Sequence, residues 1–344
     1  MVRELAVAKK VLVTNLMHIG DIVFMTPFLH VLRKHALQAE ISLLVDQKTA
    51  DVVRYNPNID QLLTIDKKGA DNSVIALWRY SKHLRSYQFD VVINLHPNER
   101  CSFLAAFSGA KYKVGGSAKI FGWLFDQVLK FKQQPEIQIV DMYLDILNQL
   151  GISELSHLGV EMEGVEKEQR FADAFYHQNS VGPGDTLIGI NIGGSWPTKR
   201  WHPEGFASVA DHYIKHGQKV VLFGGAMDIP LEAEILKRML GTPILATGKT
   251  TLLQLAALIK RCAVFVSGDS GPIHIAATQK VPLVAIFGPS DRRRFPPYAE
   301  NKTIITTELE CQPCGKQQCE YHSCMHNITP QHLITAVDRF LGHK

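Results

Sequence analysis

The residues best suited to chemistry gather in one stretch, Ser267-Gly268-Asp269-Ser270-Gly271-Pro272-Ile273-His274. The apolar run before it, Ala263-Val264-Phe265-Val266, reads as a buried strand, and Ile275-Ala276-Ala277-Thr278 after it as the start of a helix. A strand, a glycine-rich turn and a helix N-terminus together hold phosphate. The first N–H groups of a helix have no partner within it, and the helix dipole adds partial positive charge there. Ser270 is placed to cap. Pro272 suits an early helical position, where its missing N–H costs nothing, and His274 lies one turn in. A plain strand-to-helix turn explains the glycines alone. The two glycines, acid, hydroxyl and histidine within these residues favour a ligand.

Other polar clusters also follow apolar runs. After Lys10–Asn15 comes Leu16-Met17-His18-Ile19-Gly20-Asp21-Ile22, with a single glycine. That is not the Gly-x-Gly-x-x-Gly fingerprint, so a nicotinamide-dependent oxidoreductase is disfavoured. Asp21 is either a first-turn acid favoured by the helix dipole or a general base; His18 either binds or tunes beside it or is a solvated loop residue. Gly193-Gly194-Ser195-Trp196-Pro197-Thr198-Lys199-Arg200-Trp201 joins glycines, hydroxyls and two adjacent cations. It reads as an anion cradle, or as a surface loop that its two tryptophans make less apt. Phe223-Gly224-Gly225-Ala226-Met227-Asp228 is a close-approach turn suited to a base or ribose. Arg292-Arg293-Arg294 is either an anion-holding run or a solvated face. Asn94-Leu95-His96-Pro97-Asn98-Glu99-Arg100 and Lys111-Tyr112-Lys113-Val114-Gly115-Gly116 are candidates for a second substrate.

The elements that must position these clusters alternate along the chain. In the first half, strands are expected at 10–15, 41–45, 61–65 and 89–95, and helices at 21–35, 50–55, 74–84, 101–107 and 139–150. The pattern pauses in the polar stretch 153–168. It restarts with strands at 186–192, 219–223, 243–246, 263–266 and 282–287, between helices at 203–216, 230–239 and 251–260. A last helix is expected over 330–341. Nearly continuous apolar strands alternating with helices imply parallel sheets covered on both faces. Two doubly wound α/β domains result, 1–165 and 166–328, with the helix in 329–344 expected to pack back on the first. In such sheets ligands bind beyond the carboxyl ends of the strands, where every unusual polar cluster here lies.

The chain has 344 residues, 46% of them hydrophobic and 20% charged, which suits two globular domains. A net charge of +4 is too small to imply nucleic acid and is compatible with anionic ligands or an anionic membrane surface. No apolar run is long enough to span a membrane. The start, Met1-Val2-Arg3-Glu4-Leu5-Ala6, lacks the apolar core of a signal peptide, so a cytoplasmic location is expected. Four of the six cysteines crowd at Cys311, Cys314, Cys319 and Cys324. They are either a structural metal site or free packing thiols; the spacing is unusual for zinc, and no metal is assigned.

With those residues on the page, the chain resembles the lipopolysaccharide core heptosyltransferases, inverting glycosyltransferases of family 9. The likeness rests on Gly20-Asp21 with Thr26-Pro27, on Thr198-Lys199-Arg200-Trp201 and on Gly268-Asp269-Ser270-Gly271-Pro272-Ile273-His274-Ile275-Ala276-Ala277. Phe287-Gly288-Pro289-Ser290-Asp291 and Tyr321-His322 with Ile328-Thr329-Pro330 add to it. The resemblance implies a GT-B fold: two Rossmann-like domains facing a cleft, acceptor on the first and donor on the second. It implies metal-independent transfer of heptose from ADP-heptose to the inner core on lipid A, without a cofactor. Asp21 would be the general base and Lys199 a diphosphate contact; Gly268, Asp269, Ser270, Gly271 and His274 would line the donor. Gly194, Ser195, Thr198 and Gly224 join them as donor-binding candidates, and His18, Asn94 and Arg100 as acceptor-binding ones. The expected partners are an ADP-sugar and the lipid A–core acceptor, with peripheral contact at the cytoplasmic face of the inner membrane. Rival readings are a GT-B transferase using another donor such as UDP-N-acetylglucosamine, and a non-catalytic nucleotide-binding protein of envelope assembly.

Overall fold

The computed structural model describes residues 2–132 and 134–342. The chain forms two compact units, Met1–Glu163 and Gly164–Lys344.

The first unit opens with the short helix α1 (Val2–Val7), followed by β1 (Lys10–Asn15), α2 (Ile19–Phe24), α3 (Thr26–His35) and β2 (Glu40–Asp46). Next come β3 (Gln61–Ile65), α4 (Val74–Ser86), β4 (Val91–Asn94) and α5 (Glu99–Ala106). The unit ends with β5 (Tyr112–Gly115), β6 (Gln127–Val128) and α6 (Ile139–Gln149). The six strands pair in parallel in the order β3-β2-β1-β4-β5-β6. β1 and β4 are central and buried along nearly their whole length, as unbroken apolar runs require.

The unit departs from the sequence expectation in several details: α1, β5 and β6 are unanticipated, and in place of the helix expected over 50–55 stands a 3-10 helix, Gln47–Val52. The single helix expected over 21–35 is two, broken at Met25. Pro27 has no N–H to offer the Val23 carbonyl, and the Thr26 hydroxyl donates to that oxygen at 2.8 Å instead. The stretch Lys111–Gly116 is mostly strand β5. It closes so tightly on β4 that a Cβ on Gly115, whose φ is +123°, would lie 2.2 Å from the Asn94 carbonyl oxygen.

The second unit runs α7 (Glu166–Gln178), β7 (Leu187–Asn191), α8 (Pro203–Lys215), β8 (Lys219–Phe223), α9 (Ile229–Leu236), β9 (Ile244–Leu245) and α10 (Leu252–Ile259). It continues through β10 (Val264–Gly268), α11 (Gly271–Thr278), β11 (Leu283–Phe287), β12 (Lys302–Thr306), α12 (Ser323–His326) and α13 (Pro330–Leu341). Its sheet, again parallel, has the order β12-β11-β10-β7-β8-β9. The sequence expectation passes over β12, whose burial is only partial, and α7, whose apolar residues Phe171, Ala172, Phe175 and Tyr176 lie among polar ones.

The last helix corrects the expectation that it packs back on the first domain. Leu333, Ile334, Ala336 and Val337 of α13 belong to the second unit's core, with Phe206, Val209 and Tyr213 of α8. The Tyr213 hydroxyl bridges to the Ile334 carbonyl (3.1 Å) and the Asp338 carboxylate (3.0 Å), and the Trp201 indole donates to the Ile328 carbonyl (3.0 Å). The apolar stripe of α13 is therefore used within its own unit. Because Leu333 is fully buried, Leu333→Ala is expected to destabilise the second unit by about 3 kcal/mol through lost contacts and a cavity. Urea unfolding followed by tryptophan fluorescence measures this, and an unchanged midpoint contradicts it.

Candidate active site

Each sheet reverses its winding at one point. In the second unit β7, β8 and β9 run to one side and β10, β11 and β12 to the other, so the turns after β7 and β10 diverge at their carboxyl ends. The loop 193–200 and the turn 268–271 are those two segments. In the first unit the corresponding segments follow β1 and β4, and hold His18, Asp21, His96 and Arg100.

The second-unit cluster centres on Asp269, which is almost fully buried. Lys199 places its ammonium 2.6 Å from Asp269 Oδ2, and His274 Nε2 lies 3.7 Å from Oδ1. Burial alone would raise the Asp269 pKa; the hydrogen bond from His274 and the charge of Lys199 outweigh it and hold the carboxylate well below its usual range. The Lys199 ammonium also sits 4.8 Å from the centre of the Trp196 ring. An ammonium carries three donors, and Asp269 engages it from one side. A Cβ on Gly268 would lie 3.0 Å from the Lys199 carbonyl oxygen, so the glycine admits the loop.

Ser270 occupies the N-cap position of α11 but makes no capping bond. Its hydroxyl lies 3.2 Å from Ser267 Oγ and accepts from the Asn191 amide at 3.2 Å, contrary to the capping expectation. The amide and hydroxyl of two adjacent strands compete for it, and they tie the turn down from below. The first turn of α11 thus presents backbone N–H groups without a capping side chain, in the manner of an anion site.

Around this centre some candidates have structural work. Thr198 is buried and donates to the Lys316 carbonyl at 2.7 Å, while His322 Nε2 lies 2.7 Å from the Thr198 carbonyl oxygen. Arg200 bonds the Gly194 carbonyl (2.9 Å) and approaches Asp228 Oδ1 (3.3 Å). Asp228 accepts from the Gly225 N–H at 2.9 Å, and its carboxylate fills the space where a Gly193 side chain would stand. Gly224 lines the same turn, and Ser195 is exposed at the crest of its loop. The arginine run is paired rather than open: Arg293 lies 3.2 Å from Asp291 and Arg292 3.7 Å from Glu308, around a cavity of about 390 Å³.

The cysteine loop forms no disulfide. Cys324 is buried, and its thiol is pushed up to about 11 by burial and then by the neighbouring Cys314, Cys311 and Cys319. Among the described residues no group of three or more His, Cys, Asp or Glu is arranged to hold a metal ion. The loop instead braces the Lys199 segment through Lys316 and His322.

In the first unit Asp21 lies in the first turn of α2. Its Oδ2 accepts from the His18 N–H at 3.3 Å and stands 3.8 Å from His18 Nδ1, on a ring that is 89% exposed. Asp21 is therefore capping its helix, as the structural reading of the sequence expects, while standing at the carboxyl end of β1. Beneath it Tyr143 is fully buried; burial, then the charge of Asp21, raise its pKa. The Tyr143 hydroxyl accepts from the Asn15 amide at 3.1 Å. Asn94 is buried and its amide is committed: Oδ1 accepts from the Thr14 hydroxyl (2.8 Å) and Nδ2 donates to the Gly116 carbonyl (2.6 Å). Arg100 holds the Lys67 carbonyl and Asn72 Oδ1, pinning the 66–72 segment. Lys67, which the sequence reading passes over, reaches the Leu16 carbonyl (2.6 Å) and Asp46 (2.9 Å). Burial, then the charges of Lys67 and His18, lower the His96 pKa to about 4, so its imidazole is neutral at pH 7. His96 belongs to the 94–100 stretch that the sequence marks for a second substrate, whereas Lys67 carries no such mark.

Residues 77–325 match glycosyltransferase family 9 (heptosyltransferase). The chain belongs to glycosyltransferase family 9. Among relatives of this family 9 enzyme, lipopolysaccharide heptosyltransferase 3 of Escherichia coli K12 is 29% identical over 295 residues, covering 82% of this chain and 83% of that one. A glycosyl transferase family 9 structure from Veillonella parvula is 36% identical with a TM-score of 0.90, covering 97% of each chain. The E. coli ADP-heptose lipopolysaccharide heptosyltransferase II structure aligns with a TM-score of 0.81 at 23% identity, covering 96% of this chain and 98% of that one. The two doubly wound sheets are thus those of the GT-B class, as the resemblance implies.

The depressed Asp269 pKa fixes a pH dependence. A carboxylate whose pKa is lower folded than unfolded stabilises the fold above the unfolded value, near 4, and that contribution is lost as pH falls toward the folded value. Asp269→Asn is therefore expected to be less stable than the parent at pH 7, with the gap shrinking below about pH 4. Thermal melts of both proteins at pH 7 and pH 3 test this; a gap that does not change with pH contradicts it.

Proposed function

We propose that this glycosyltransferase moves a heptose from ADP-heptose to the inner core of lipopolysaccharide by a single, inverting, metal-independent displacement. The observation that carries the reading is the Lys199 ammonium, held by Asp269 beside the uncapped first turn of α11 at the second sheet's switch point. Fixed positive charge at that place suits a nucleotide diphosphate. The names of the family and of the relatives supply the sugar and the acceptor.

In the proposed reaction Asp21 takes the proton of an acceptor hydroxyl. The oxygen attacks the anomeric carbon of the heptose from the face opposite the diphosphate. The bond from that carbon to the diphosphate oxygen breaks, and ADP leaves with the electron pair. Lys199 and the α11 N-terminus meet the charge that develops on ADP, the role a divalent ion plays in other transferases. Gly268, Ser270, Gly271 and His274 line the donor side, with Gly194, Ser195 and Gly224 around it. His18 and Arg100 stand on the acceptor side. Asn94 acts through the β4 terminus it holds. The work is proposed for the cytoplasmic face of the inner membrane, where a lipid-linked acceptor is carried.

Asp21→Asn keeps an oxygen to accept the His18 N–H but removes the base. Its kcat is expected to fall about a thousandfold, with ADP affinity unchanged within experimental error. Transfer assays paired with calorimetry measure this, and a kcat near the parent's removes Asp21 from the role. Lys199→Ala is expected to weaken ADP binding about tenfold to a hundredfold, the loss of one charge-assisted contact. Calorimetry with ADP decides it: an unchanged Kd contradicts the assignment, as does tighter binding of UDP than of ADP by the parent.

A further inference from the structure

Helix α4 and the short turn 119–124 expose apolar side chains in unusual density. Val74 and Ile75 are 74% and 73% exposed and Trp78 45%, all near one face of α4. On the turn, Ile120 is 63% and Trp123 80% exposed. Aromatic contacts join the two. The Trp78 ring packs edge-on against Phe103 and Phe107 (5.7 and 5.1 Å between centroids), and those rings pack against Phe121 (5.8 and 6.4 Å). The Trp123 indole N–H is bonded to the Ile120 carbonyl at 3.1 Å.

The surroundings are cationic. Residues 72–89 and 100–125 hold seven Lys or Arg, of which Lys111 is paired with Asp90 and Arg100 holds the 66–72 segment; Asp71, Asp90, Glu99 and Asp126 border the two stretches. Arg79, Lys82 and Lys119 are exposed, and the Arg85 guanidinium lies 5.8 Å from the Trp78 ring centre. Exposed tryptophans and aliphatics set beside the exposed Arg79, Lys82 and Lys119 complement the headgroup region of an anionic bilayer.

We propose that this patch of the first unit docks the enzyme on an anionic lipid surface. Trp123, Ile120 and Trp78 enter the headgroup region, and Arg79, Lys82 and Lys119 meet lipid phosphates. The docking brings the enzyme to the plane that carries its acceptor, and in that purpose it rests on the proposed transfer to a lipid-linked core.

The test is co-sedimentation of the full-length enzyme with vesicles of phosphatidylcholine alone or with one-third phosphatidylglycerol. The parent is expected to bind the anionic vesicles at least about tenfold more tightly, with the preference falling at high salt. Ile120→Ser with Trp123→Ser, both at exposed positions, is expected to weaken that binding about tenfold. Lys82→Glu with Lys119→Glu is expected to do the same, and both double variants keep full transfer to a deacylated, water-soluble acceptor. Failure of the parent to bind anionic vesicles overturns the proposal, as does parent-like binding by both double variants. Self-association that the serine variant abolishes, without vesicle binding, assigns the patch to a second copy of the chain and overturns it equally. Sedimentation uses neither donor nor acceptor, so an error in the transfer reading leaves this outcome untouched.

Discussion

Asp269 is buried at the end of β10, and a buried carboxylate stays charged only when cations and donors surround it. Lys199 and His274 supply them, at 2.6 and 3.7 Å. Lys199 comes from the loop after β7, so the pairing locks that loop against the turn after β10. The remaining contacts of the second-unit site follow from this lock. Gly268 lacks a side chain because the Lys199 carbonyl passes over it. Trp196 backs the ammonium, Arg200 ties the loop to Asp228, and Thr198 ties it to the cysteine loop through Lys316 and His322. Removing either member of the central pair strands the other in a poorly solvated place, which is why so many neighbours hold the loop still.

The first unit solves a similar problem with one amide and two cations. Asn94 uses its amide to join the ends of β1, β4 and β5 through Thr14 and Gly116. Lys67 and Arg100 then hold the segment beyond β3 over the same edge. The result places Asp21 at a helix N-terminus on a rigid base, above the Asn15–Tyr143 hydrogen bond. A carboxylate that both caps a helix and stands at a switch point has its orientation fixed before any substrate arrives.

Much of this is legible in the sequence, and the reasons differ by residue. The strands of both sheets are readable because parallel strands buried on both faces are almost continuously apolar, as in Val11–Val13 and Val264–Val266. The Lys199, Asp269 and His274 positions are readable because a cation, an acid and a histidine at strand ends have few structural reasons to be there. Their mutual contact is not readable, since 70 residues separate Lys199 from Asp269. The hydroxyls mislead: Ser270 and Thr198 suggest a cap and a ligand contact, but each has a tertiary partner that sequence spacing does not reveal. The destination of α13 is hidden because an amphipathic stripe says that a face is buried and not against what. Strand β12 is an edge with partial burial, so its period is weak; α7 does carry a helical period, in Phe171, Ala172, Phe175 and Tyr176, which the sequence expectation passes over.

Family membership, the two switch-point clusters and the exposed aromatic patch are read together in the proposed reaction: a sugar leaving a nucleotide diphosphate for a lipid-linked acceptor. The most direct measurement is product analysis after incubating the enzyme with ADP-heptose and a core acceptor lacking its heptose. The account predicts that the acceptor gains the mass of one heptose, that ADP is released in equal amount, and that the anomeric configuration is opposite to that in the donor. An acceptor of unchanged mass, or a product with the donor's configuration retained, would contradict it.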